Sequence, residues 1–378
     1  MTPTILDLTQ ADDSRDVVHR AVQALAEGNL IGVPTGSNYC LAAAAHAPAA
    51  IEQACAVVTA EAAEPPLSIA VKSADEAADW APGLEPMARR LARRCWPGPL
   101  ALLIRGDHPD GLLRQLPVEV QPRLLTAGQL RFRAPDHALL RDCLRLFAGP
   151  VVLAEPGDPA APPATLADLL TACGPSGVPP LAIDAGPLPQ AGLLSTVAIE
   201  AGRCRLLRGG ALDEAALARL SRLVVLFVCT GNTCRSPMAE VIFRDLVARR
   251  LGCEPAAIED RGVTVASAGL SAWGGSPASE QAVKVVAQQG INLAGHASQP
   301  LTERLIRQAD VIWTMTAAHR AAILAQFPDF ADRVWMLSPG RRDVLDPIGG
   351  SQEIYRRCAA QIREHLESRI DTLGLASG

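Results

Sequence analysis

One short segment constrains this chain more than any other. Residues 223–240 read Leu-Val-Val-Leu-Phe-Val-Cys-Thr-Gly-Asn-Thr-Cys-Arg-Ser-Pro-Met-Ala-Glu, so an apolar run leads into a polar turn that has a cysteine at one end and an arginine at the other. The apolar run predicts a buried strand, and Pro237 suits the first turn of a helix. Gly231 and Asn232 tolerate the dihedral angles of a tight loop. The segment therefore predicts a strand, a tight loop and a helix.

Such a loop is suited to hold a phosphate next to a nucleophile, because the N–H groups of the loop and of the helix N-terminus converge on an anion. The same field favours an ionised thiol, so we expect Cys229 to react as a thiolate. Arg235 offers a planar fork for two phosphoryl oxygens, and Ser236 is placed to donate to the thiolate. These roles predict attack of sulfur on phosphorus and a cysteinyl-phosphate intermediate that water hydrolyses. The other residues expected to line the phosphate site are Thr230, Gly231, Asn232, Thr233 and Cys234.

The alternative for the same segment is a buried structural cysteine beside an ordinary turn between a strand and a helix. The preceding strand, the Ser-Pro step and the following helix all agree with the phosphate loop, and such structural context is what supports a short motif. We therefore interpret the segment as a catalytic loop.

Residues 228–240 closely resemble the active-site signature of the low-molecular-weight protein tyrosine phosphatases. The resemblance extends over residues 223–370 and includes Ser-Ala-Gly at 267–269 and Asp346-Pro347. In that family an aspartate of this Asp-Pro element is the general acid, so the resemblance implies that role for Asp346. A positioned carboxylic acid is also what the chemistry needs, because a leaving group departs slowly without a proton. The alternative is an aspartate that merely caps the last helix.

The residues around the loop also bear on the substrate. Tyrosine-directed members usually have a bulkier aliphatic residue where this chain has Thr233, and Thr233 together with Asp-Pro-Ile-Gly-Gly-Ser at 346–351 is more similar to the bacterial protein-arginine phosphatases. In that branch the threonine narrows the cleft against a phenyl ring, and the catalytic aspartate also holds the guanidinium. Trp273 is expected to form a wall of the cleft, and Ile348 replaces an expected aromatic residue. An indole face stacks on a phenyl ring or on a guanidinium, so Trp273 does not decide between the two substrates. On the strength of Thr233 and residues 346–351 we favour phosphoarginine and keep phosphotyrosine open.

The cysteines indicate a reducing compartment. Cys234 lies in the same loop as Cys229, near enough to form a disulfide with it on oxidation, which would protect the thiolate from irreversible oxidation. The alternative is a small buried apolar side chain. The ten cysteines show no paired Cys-x2-Cys spacing, so we expect reduced cytosolic thiols, no disulfide framework and no metal site.

Length and charge set further bounds. At 378 residues the chain is too long for one ordinary core, so two domains are expected. A net charge of -5 argues against broad nonspecific binding of nucleic acids. No apolar run approaches ~20 residues, and Met1-Thr-Pro-Thr lacks the basic and apolar regions of an export signal. We expect a cytoplasmic protein without a membrane partner, and the oligomeric state stays open.

The C-terminal half, residues 223–378, alternates strand and helix as in a doubly wound parallel sheet. In such a sheet ligands bind beyond the carboxyl ends of the strands, where Cys229 and Asp346 would emerge. His296 and His319 match no motif and are interpreted as surface or capping residues. The predicted strands are 223–228, 263–268, 309–315 and 333–337.

The N-terminal half, residues 1–208, is rich in Ala and Pro and also alternates strands and helices, which predicts an α/β domain with a twisted sheet. A helix is expected at 84–96 with a solvated arginine face, and residues 209–222 are interpreted as a linker that forms a short helix. The predicted strands are 30–34, 67–71, 100–104, 150–154 and 194–199.

Several phrases in this half stand out: Pro-Thr-Gly-Ser-Asn-Tyr-Cys-Leu at 34–41, Cys-Trp-Pro-Gly-Pro-Leu at 95–100, Arg-Ala-Pro-Asp-His at 133–137 and Leu-Arg-Gly-Gly-Ala at 207–211. They resemble the YrdC-like threonylcarbamoyl-AMP synthases, which join threonine, bicarbonate and ATP on the way to a tRNA modification. The positions that this resemblance implies as a remnant of a nucleotide site are Thr35, Arg133, Ser195 and Thr196.

The resemblance fails where the synthase chemistry is done. The family's Lys-Gly-Arg element falls on Thr-Ala-Glu at 59–61, and its Ser-Ala-Asn element falls on Glu-Pro-Gly at 155–157. Carboxylates beside a polyphosphate cost Coulomb energy that the missing cations would have offset. We therefore expect a degenerate synthase fold kept as a regulatory, substrate-presenting or ligand-sensing module, which puts ATP binding in doubt.

Three functions remain open at this point. The main expectation is a phosphatase that acts on phosphorylated proteins or on phosphoarginine or phosphotyrosine peptides and needs no cofactor. The first alternative is an arsenate reductase on the same scaffold, which would need a mobile pair of downstream cysteines, whereas Cys253 and Cys358 are far apart. The second is a working synthase, or a nucleotide or RNA binder, in the N-terminal half, so a role related to tRNA stays open.

Overall fold

The computed structural model describes residues 2–58, 64–106 and 108–375. The chain divides into two compact units between Leu220 and Ser221. Both units alternate helices and strands, as expected for an α/β protein. Within the described ranges, no helix combines the length and the apolar character needed to cross a membrane.

The N-terminal unit is built on one mixed sheet of ten strands among the residues described. The strands are β1 (Thr4–Asp7), β2 (Ile31–Pro34), β3 (Tyr39–Ala44), β4 (Leu67–Ala70), β5 (Leu100–Arg105), β6 (Gln129–Arg133), β7 (Val151–Ala154), β8 (Leu181–Asp184), β9 (Ser195–Glu200) and β10 (Arg203–Arg208). Their order in the sheet is β1-β8-β2-β3-β7-β4-β6-β5-β9-β10.

Helices cover this sheet. They are α1 (Ser14–Ala26), α2 (Pro48–Ala56), α3 (Ala74–Trp80), α4 (Pro86–Cys95), α5 (Gln121–Leu124), α6 (Ala138–Leu146), α7 (Leu166–Cys173) and α8 (Glu214–Ser221), with a 3₁₀ turn at Leu112–Gln115. Two apolar clusters contain alternate residues of the central strands: Leu41 and Ala43 of β3 belong to one cluster, and Cys40 and Ala42 to the other. Because successive side chains of a strand point to opposite faces, this sheet has a core on each face.

The sequence predicted five of these strands, β2, β4, β5, β7 and β9, and missed the other five. Strand β3 shows why, because its sequence Tyr-Cys-Leu-Ala-Ala-Ala is dominated by alanine, which favours helices in isolation. The expectation of a solvated arginine face on α4 is wrong in part. Arg90 is only 9% exposed, and its guanidinium lies 3.7 Å from the sulfur of Met87.

The C-terminal unit is a four-stranded parallel sheet between two layers of helices. Its strands are β11 (Leu223–Cys229), β12 (Val263–Gly269), β13 (Val311–Thr314) and β14 (Val334–Met336), in the order β12-β11-β13-β14. Its helices are α9 (Arg235–Leu251), α10 (Glu280–Ala287), α11 (Glu303–Gln308), α12 (Ala317–Gln326) and α13 (Gln352–Ile370), with 3₁₀ turns at Pro255–Ala257, Pro328–Phe330 and Asp371–Leu373.

Strand β11 lies at the centre of this sheet and separates its two cores. Phe227 and Cys229 belong to the cluster that includes residues of α9, α10 and α13, whereas Leu226 and Val228 belong to the cluster that includes residues of α11 and α12. Its neighbours are β12 on one side and β13 on the other, so the direction of the strand order reverses at β11. In a parallel sheet, the crevice at such a reversal is the place where ligands bind, and Cys229 ends the strand at this point.

Candidate active site

The loop between β11 and α9 begins at Cys229 and ends at Arg235, as the sequence predicted. The end of β12 packs closely against it. A Cβ atom on Gly269 would lie 2.6 Å from the carbonyl oxygen of Thr230 and 2.9 Å from the backbone nitrogen of Asn232. Only a glycine therefore allows this close approach of β12 to the loop, a constraint that the sequence alone does not reveal.

The sulfur of Cys229 is buried and lies among hydrogen-bond donors. The backbone N–H of Asn232 donates to Cys229 Sγ at 3.2 Å, and the hydroxyl oxygen of Ser236 lies 3.0 Å from the same sulfur. Ser236 Oγ also accepts a hydrogen bond from the side-chain amide of Asn232 at 2.9 Å, and its own proton has two acceptors within reach, Cys229 Sγ at 3.0 Å and the carbonyl oxygen of Ala268 at 3.4 Å. The arrangement fits a serine that stabilises a thiolate.

Asn232 holds the loop in shape. Its φ angle is +52°, a left-handed conformation that asparagine adopts more readily than most residues. Its side-chain amide also donates to Ser267 Oγ at 2.9 Å, and its side-chain oxygen accepts from the backbone N–H of Gln299 at 2.9 Å. Ser267 Oγ in turn donates to the carboxylate of Glu240 at 2.7 Å. Asn232 therefore acts as a buried scaffold, a role more specific than the tolerance of a turn that the sequence indicated.

The arginine at the other end of the loop contacts the predicted acid. Arg235 is buried, and its Nη2 donates to Asp346 Oδ2 at 2.6 Å. The Asp346 side chain is 48% exposed, and its other oxygen accepts from the backbone N–H of Ile348 at 3.2 Å. The structure thus brings Cys229, Arg235 and Asp346 together at one end of the sheet, although 111 residues separate the last two in the chain.

The second cysteine of the loop is also buried and is a free thiol. Cys234 Sγ lies 3.3 Å from the hydroxyl of Tyr355 and 3.4 Å from Ser279 Oγ. Burial and the neighbouring Cys234 raise the pKa of Tyr355 above its ordinary value. Farther along α13, Cys358 is fully buried, and burial raises the pKa of its thiol to about 12, which does not suit a residue that relays oxidation.

The residues expected to contact the substrate lie at the surface. Trp273 is 86% exposed, and its carbonyl oxygen accepts a hydrogen bond from the hydroxyl of Ser298. Thr233 is half-buried, and its carbonyl oxygen accepts from the backbone N–H of Ser279 at 2.9 Å. Ile348 is also strongly exposed. An exposed indole beside a buried phosphate loop is available to a bound substrate.

Two histidines belong to the site although the sequence placed them at the surface or in a cap. The expectation is wrong for His319, which is 7% exposed and whose Nε2 lies 2.9 Å from Thr230 Oγ1. His296 Nε2 lies 2.7 Å from the carbonyl oxygen of Asn232. Burial lowers the pKa of His319, and the charge of Arg235 lowers it further. Neither histidine has a neighbouring motif, so no signal in the sequence could have identified it.

In the N-terminal unit, two of the four residues predicted as a nucleotide remnant lie together. Arg133 is buried and donates to Thr35 Oγ1 at 3.1 Å, to Ser37 Oγ at 3.0 Å and to Asn38 Oδ1 at 3.0 Å. The same guanidinium is paired with the carboxylate of Glu155. Groups of the protein itself therefore bind the Arg133 guanidinium.

The other two predicted residues do not join this cluster. Ser195 Oγ accepts a hydrogen bond from the backbone N–H of Leu212 at 2.9 Å, so it holds the chain after β10. Thr196 Oγ1 is buried and has no hydrogen-bond partner among the described residues. The structure thus brings Thr35 and Arg133 into direct contact, and the segment 59–61, where the sequence predicted the loss of the Lys-Gly-Arg element, lies outside the described residues.

Glu155 is the centre of an ion-pair cluster beside a cavity of about 310 Å³. It pairs with Arg133 and with Arg131 at 3.0 Å, and Glu64 lies 3.8 Å from Arg131 and 3.5 Å from Arg208. Burial alone would raise the pKa of Glu155, but the two guanidinium groups outweigh it and lower the pKa to about 2. Glu155 is therefore a carboxylate at neutral pH. It forms ion pairs with Arg131 and Arg133, whose positive charges would otherwise attract an anion.

Comparison with known proteins agrees with the two units. The family described as low molecular weight phosphotyrosine protein phosphatase matches residues 224–375, and the Sua5/YciO/YrdC family, described as telomere recombination, matches residues 23–210. A protein-arginine-phosphatase of Bacillus subtilis (strain 168) is 40% identical over 146 residues, which are 38% of this chain and 91% of that protein. The low molecular weight protein-tyrosine-phosphatase Etp of Escherichia coli (strain K12) is 33% identical over 141 residues, 37% of this chain and 86% of that protein.

Among solved structures, a crystal structure of a YwlE mutant from Bacillus subtilis is 39% identical, covers 40% of this chain and 98% of that one, and gives a TM-score of 0.36. The matches to protein-arginine and protein-tyrosine phosphatases define a protein phosphatase. The chain belongs, through its C-terminal half, to the low molecular weight phosphotyrosine protein phosphatase family. Its N-terminal half is similar to the YrdC family.

Proposed function

We propose that the C-terminal unit hydrolyses phosphoarginine in proteins through a cysteinyl-phosphate intermediate. The observation that carries this proposal is the geometry of Cys229. Its sulfur accepts a hydrogen bond from the backbone N–H of Asn232 and lies 3.0 Å from the hydroxyl oxygen of Ser236, while Arg235 contacts Asp346 at the other end of the loop. Phosphoryl transfer requires a nucleophile, N–H groups that bind the phosphoryl oxygens, a cation that stabilises their charge and a proton donor for the leaving group. Cys229, the loop, Arg235 and Asp346 are suited to these roles.

In the first step, the sulfur of Cys229 attacks phosphorus and the bond from phosphorus to the leaving nitrogen or oxygen breaks. Loop N–H groups and the Arg235 guanidinium bind the phosphoryl oxygens, so that Arg235 exchanges its contact with Asp346 for the substrate. Asp346, in its acid form, gives its proton to the leaving group. Without that proton an amine or alkoxide is a poor leaving group.

In the second step, water attacks phosphorus and the bond from phosphorus to sulfur breaks. Asp346 is now a carboxylate and accepts the proton of the attacking water, while Ser236 donates to the departing thiolate of Cys229. Inorganic phosphate leaves and Cys229 is restored. The steps use protein side chains and water, and they require no cofactor.

The preference for phosphoarginine rests on two observations. Asp346 Oδ2 already accepts a hydrogen bond from a guanidinium, that of Arg235, at 2.6 Å, so in the acid form the unprotonated oxygen can accept one from the guanidinium of a substrate while the protonated oxygen donates to the leaving nitrogen. Thr233 supplies a short polar side chain at the cleft, and the exposed indole of Trp273 can stack on a planar cation. The Bacillus subtilis relative, which is named a protein-arginine-phosphatase, supports this choice.

A direct test compares three phosphopeptides. The full-length protein is given the same peptide sequence carrying phosphoarginine, phosphotyrosine or phosphoserine, and released phosphate is measured under initial-rate conditions. We expect kcat/KM to be highest for phosphoarginine. A higher kcat/KM for phosphotyrosine would keep the phosphatase mechanism and overturn the substrate assignment.

We further propose that residues 1–208 form a catalytically degenerate YrdC-like domain, that residues 209–222 link the domains and that residues 223–378 form the phosphatase domain. The ion pairs of Glu155 with Arg131 and Arg133 support the loss of synthase activity, because they neutralise the cations beside the cavity. Threonine-dependent release of pyrophosphate from ATP by the full-length protein would contradict this proposal.

A further inference from the structure

The contact between Thr230 and His319 has no part in the mechanism above. Thr230 follows the nucleophile directly and is exposed at the mouth of the loop. Its hydroxyl lies 2.9 Å from Nε2 of His319, a buried residue in the first turn of α12. The pair joins the phosphate loop to a helix that packs on the other face of the sheet from the cluster that contains Cys229.

Thr230 is held from two sides. Its carbonyl oxygen accepts a hydrogen bond from the backbone N–H of Ser271, after β12, at 2.9 Å, and its side chain contacts His319. The next residue is Gly231. Because it has no Cβ, its backbone can rotate more freely than that of other residues. The two contacts therefore limit the rotation of the first peptide units of the loop, which carry N–H groups that would face a bound phosphoryl group.

His319 is a rigid support. Its backbone N–H donates to Thr316 Oγ1 at 3.1 Å, the capping contact of α12. The charged groups that face its ring are Arg235, Asp343 and Asp346. Burial is the largest effect and lowers the pKa of the imidazole, Arg235 lowers it further, and the two aspartates oppose them. The ring is therefore neutral at neutral pH and has one N–H.

The position of that proton follows from the partners of the ring. Nδ1 of His319 is buried and has no hydrogen-bond partner among the described residues, so a proton on Nδ1 would be an unpaired buried donor. Unpaired buried N–H groups are rarer than unpaired acceptors. A proton on Nε2 is donated to Thr230 Oγ1 instead, and the hydroxyl proton of Thr230 then remains available to a phosphoryl oxygen.

We propose that His319 is a positioning residue of the phosphatase, which acts through Thr230 to hold the first part of the loop in the orientation that binds the transition state. This inference rests on the proposed function of the loop. It predicts that the loss of either partner weakens binding of the five-coordinate transition state more than binding of inorganic phosphate.

The test measures inhibition constants of orthovanadate, which mimics the five-coordinate state, and of inorganic phosphate for the full-length protein with p-nitrophenyl phosphate as substrate. We expect His319→Phe and Thr230→Val each to raise the vanadate constant by about 3- to 10-fold and the phosphate constant by less, the size expected from one neutral hydrogen bond. The double variant should be no worse than the worse single variant. His319→Gln and Thr230→Ser, which keep an N–H and a hydroxyl, should recover most of the affinity.

Inhibition constants do not depend on the fraction of folded enzyme, so a purely structural role of His319 would leave them unchanged. The proposal is overturned if both single variants bind vanadate within about twofold of the native protein, or if the effects of the two changes multiply in the double variant. If His319→Phe does not fold, His319→Leu, which also lacks a hydrogen-bonding group, takes its place under the same criterion. A native protein that shows no turnover at all would contradict the proposed function instead.

Discussion

Each unit of the molecule holds a buried arginine against a carboxylate, but the two pairs differ in how firmly the carboxylate is held. In the C-terminal unit, Asp346 is about half exposed and contacts Arg235 through one oxygen. In the N-terminal unit, the Glu155 side chain is 15% exposed and pairs with both Arg131 and Arg133. Asp346 can give up its contact with Arg235 for a substrate at little cost in free energy. If Glu155 gave up its contacts, the buried charges of Arg131 and Arg133 would lose their counter-charge.

This difference supports our proposal that the C-terminal unit binds an anion beside Arg235 and that the N-terminal unit does not bind one beside Glu155. An exposed carboxylate beside an arginine competes weakly with a phosphoryl group, because solvent screens the pair and a bidentate phosphate contact is stronger. A carboxylate that pairs with two guanidinium groups neutralises their charge in the way that a bound anion would. The cavity beside Glu155 is lined by Arg131 and Arg208 together with the carboxylates of Glu64 and Glu155, which pair with them.

The largest expected effect concerns the nucleophile. Cys229→Ser should lower kcat by at least about 10⁴-fold, because a serine hydroxyl in this loop has no base to activate it, while binding of inorganic phosphate stays close to native. Steady-state kinetics and calorimetry with phosphate measure the two quantities. Cys253→Ser, at a half-buried cysteine of the same unit, is the matched control and should keep activity. Retained turnover in Cys229→Ser would end the thiolate mechanism.

The next effect concerns the acid. Asp346→Asn should lower kcat/KM for phosphoarginine peptides by about 10²- to 10⁴-fold, since the leaving nitrogen then lacks its proton donor. The same change should matter much less for p-nitrophenyl phosphate, whose leaving group departs without a proton. Asp343→Asn is a suitable control, because Asp343 accepts a hydrogen bond from the backbone N–H of Ala317 and an asparagine can still do so. An equal loss on both substrates would show that Asp346 is not the acid.

In the N-terminal unit, the ion pairs of Glu155 with Arg131 and Arg133 should contribute to the free energy of unfolding. Glu155→Gln should lower the free energy of unfolding of that unit by about 3 to 5 kcal/mol, because the buried charges of Arg131 and Arg133 lose their counter-charge. Calorimetric scans of the full-length protein at neutral pH measure the change. Asp158→Asn, at an exposed carboxylate of the same cavity, should change stability little. A melting profile of Glu155→Gln that matches the native one would contradict the firm pairing.

The same pair predicts a dependence on pH. The pKa of Glu155 is lowered to about 2 in the folded state, below its ordinary value, so its contribution to stability is complete above the ordinary pKa and is lost as pH falls toward 2. The stability difference between the native protein and Glu155→Gln should therefore shrink as the pH is lowered from 5 to about 2. A difference that stays constant over that interval would mean that Glu155 has an ordinary pKa.

The smallest expected effect concerns selectivity. Thr233→Ile should lower the ratio of kcat/KM for phosphoarginine to kcat/KM for phosphotyrosine by about 10-fold, because an added aliphatic group favours contact with a phenyl ring. Paired assays on the two peptides measure the ratio. Thr230→Ser changes a threonine in the same loop without adding an aliphatic group and serves as the comparison. An unchanged ratio in Thr233→Ile would show that this side chain does not set the preference.

The sequence predicted the C-terminal unit better than the N-terminal one for a physical reason. Strand β11 is a continuous, largely buried run of Leu, Val and Phe before a polar turn, as is typical of a central parallel strand, and the strand, loop and helix around Cys229 are local in sequence. In the N-terminal unit, half of the strands were missed. Three of the six residues of strand β10 are arginines and none of the six is buried, and β3 ends in three alanines, so neither has the composition of a typical strand.

Within the site, the sequence identified the residues that carry a motif and missed those that act from a distance. Cys229, Arg235 and Ser236 are fixed by their spacing within one loop. His319 reaches the loop only because α12 packs near it, and the role of Gly269 depends on the close approach of β12. Contacts between elements far apart in the chain leave no local pattern in a single sequence.

The most direct test of the phosphatase mechanism is to find where the phosphoryl group goes during turnover. The native protein is mixed with a phosphoarginine peptide, quenched within the first turnovers at neutral pH, digested and examined by mass spectrometry. The mechanism predicts one phosphoryl group on the peptide that contains Cys229, present during turnover and gone when substrate is exhausted. Turnover with no phosphoryl group on Cys229 at any time, or with the group on Ser236, would contradict it.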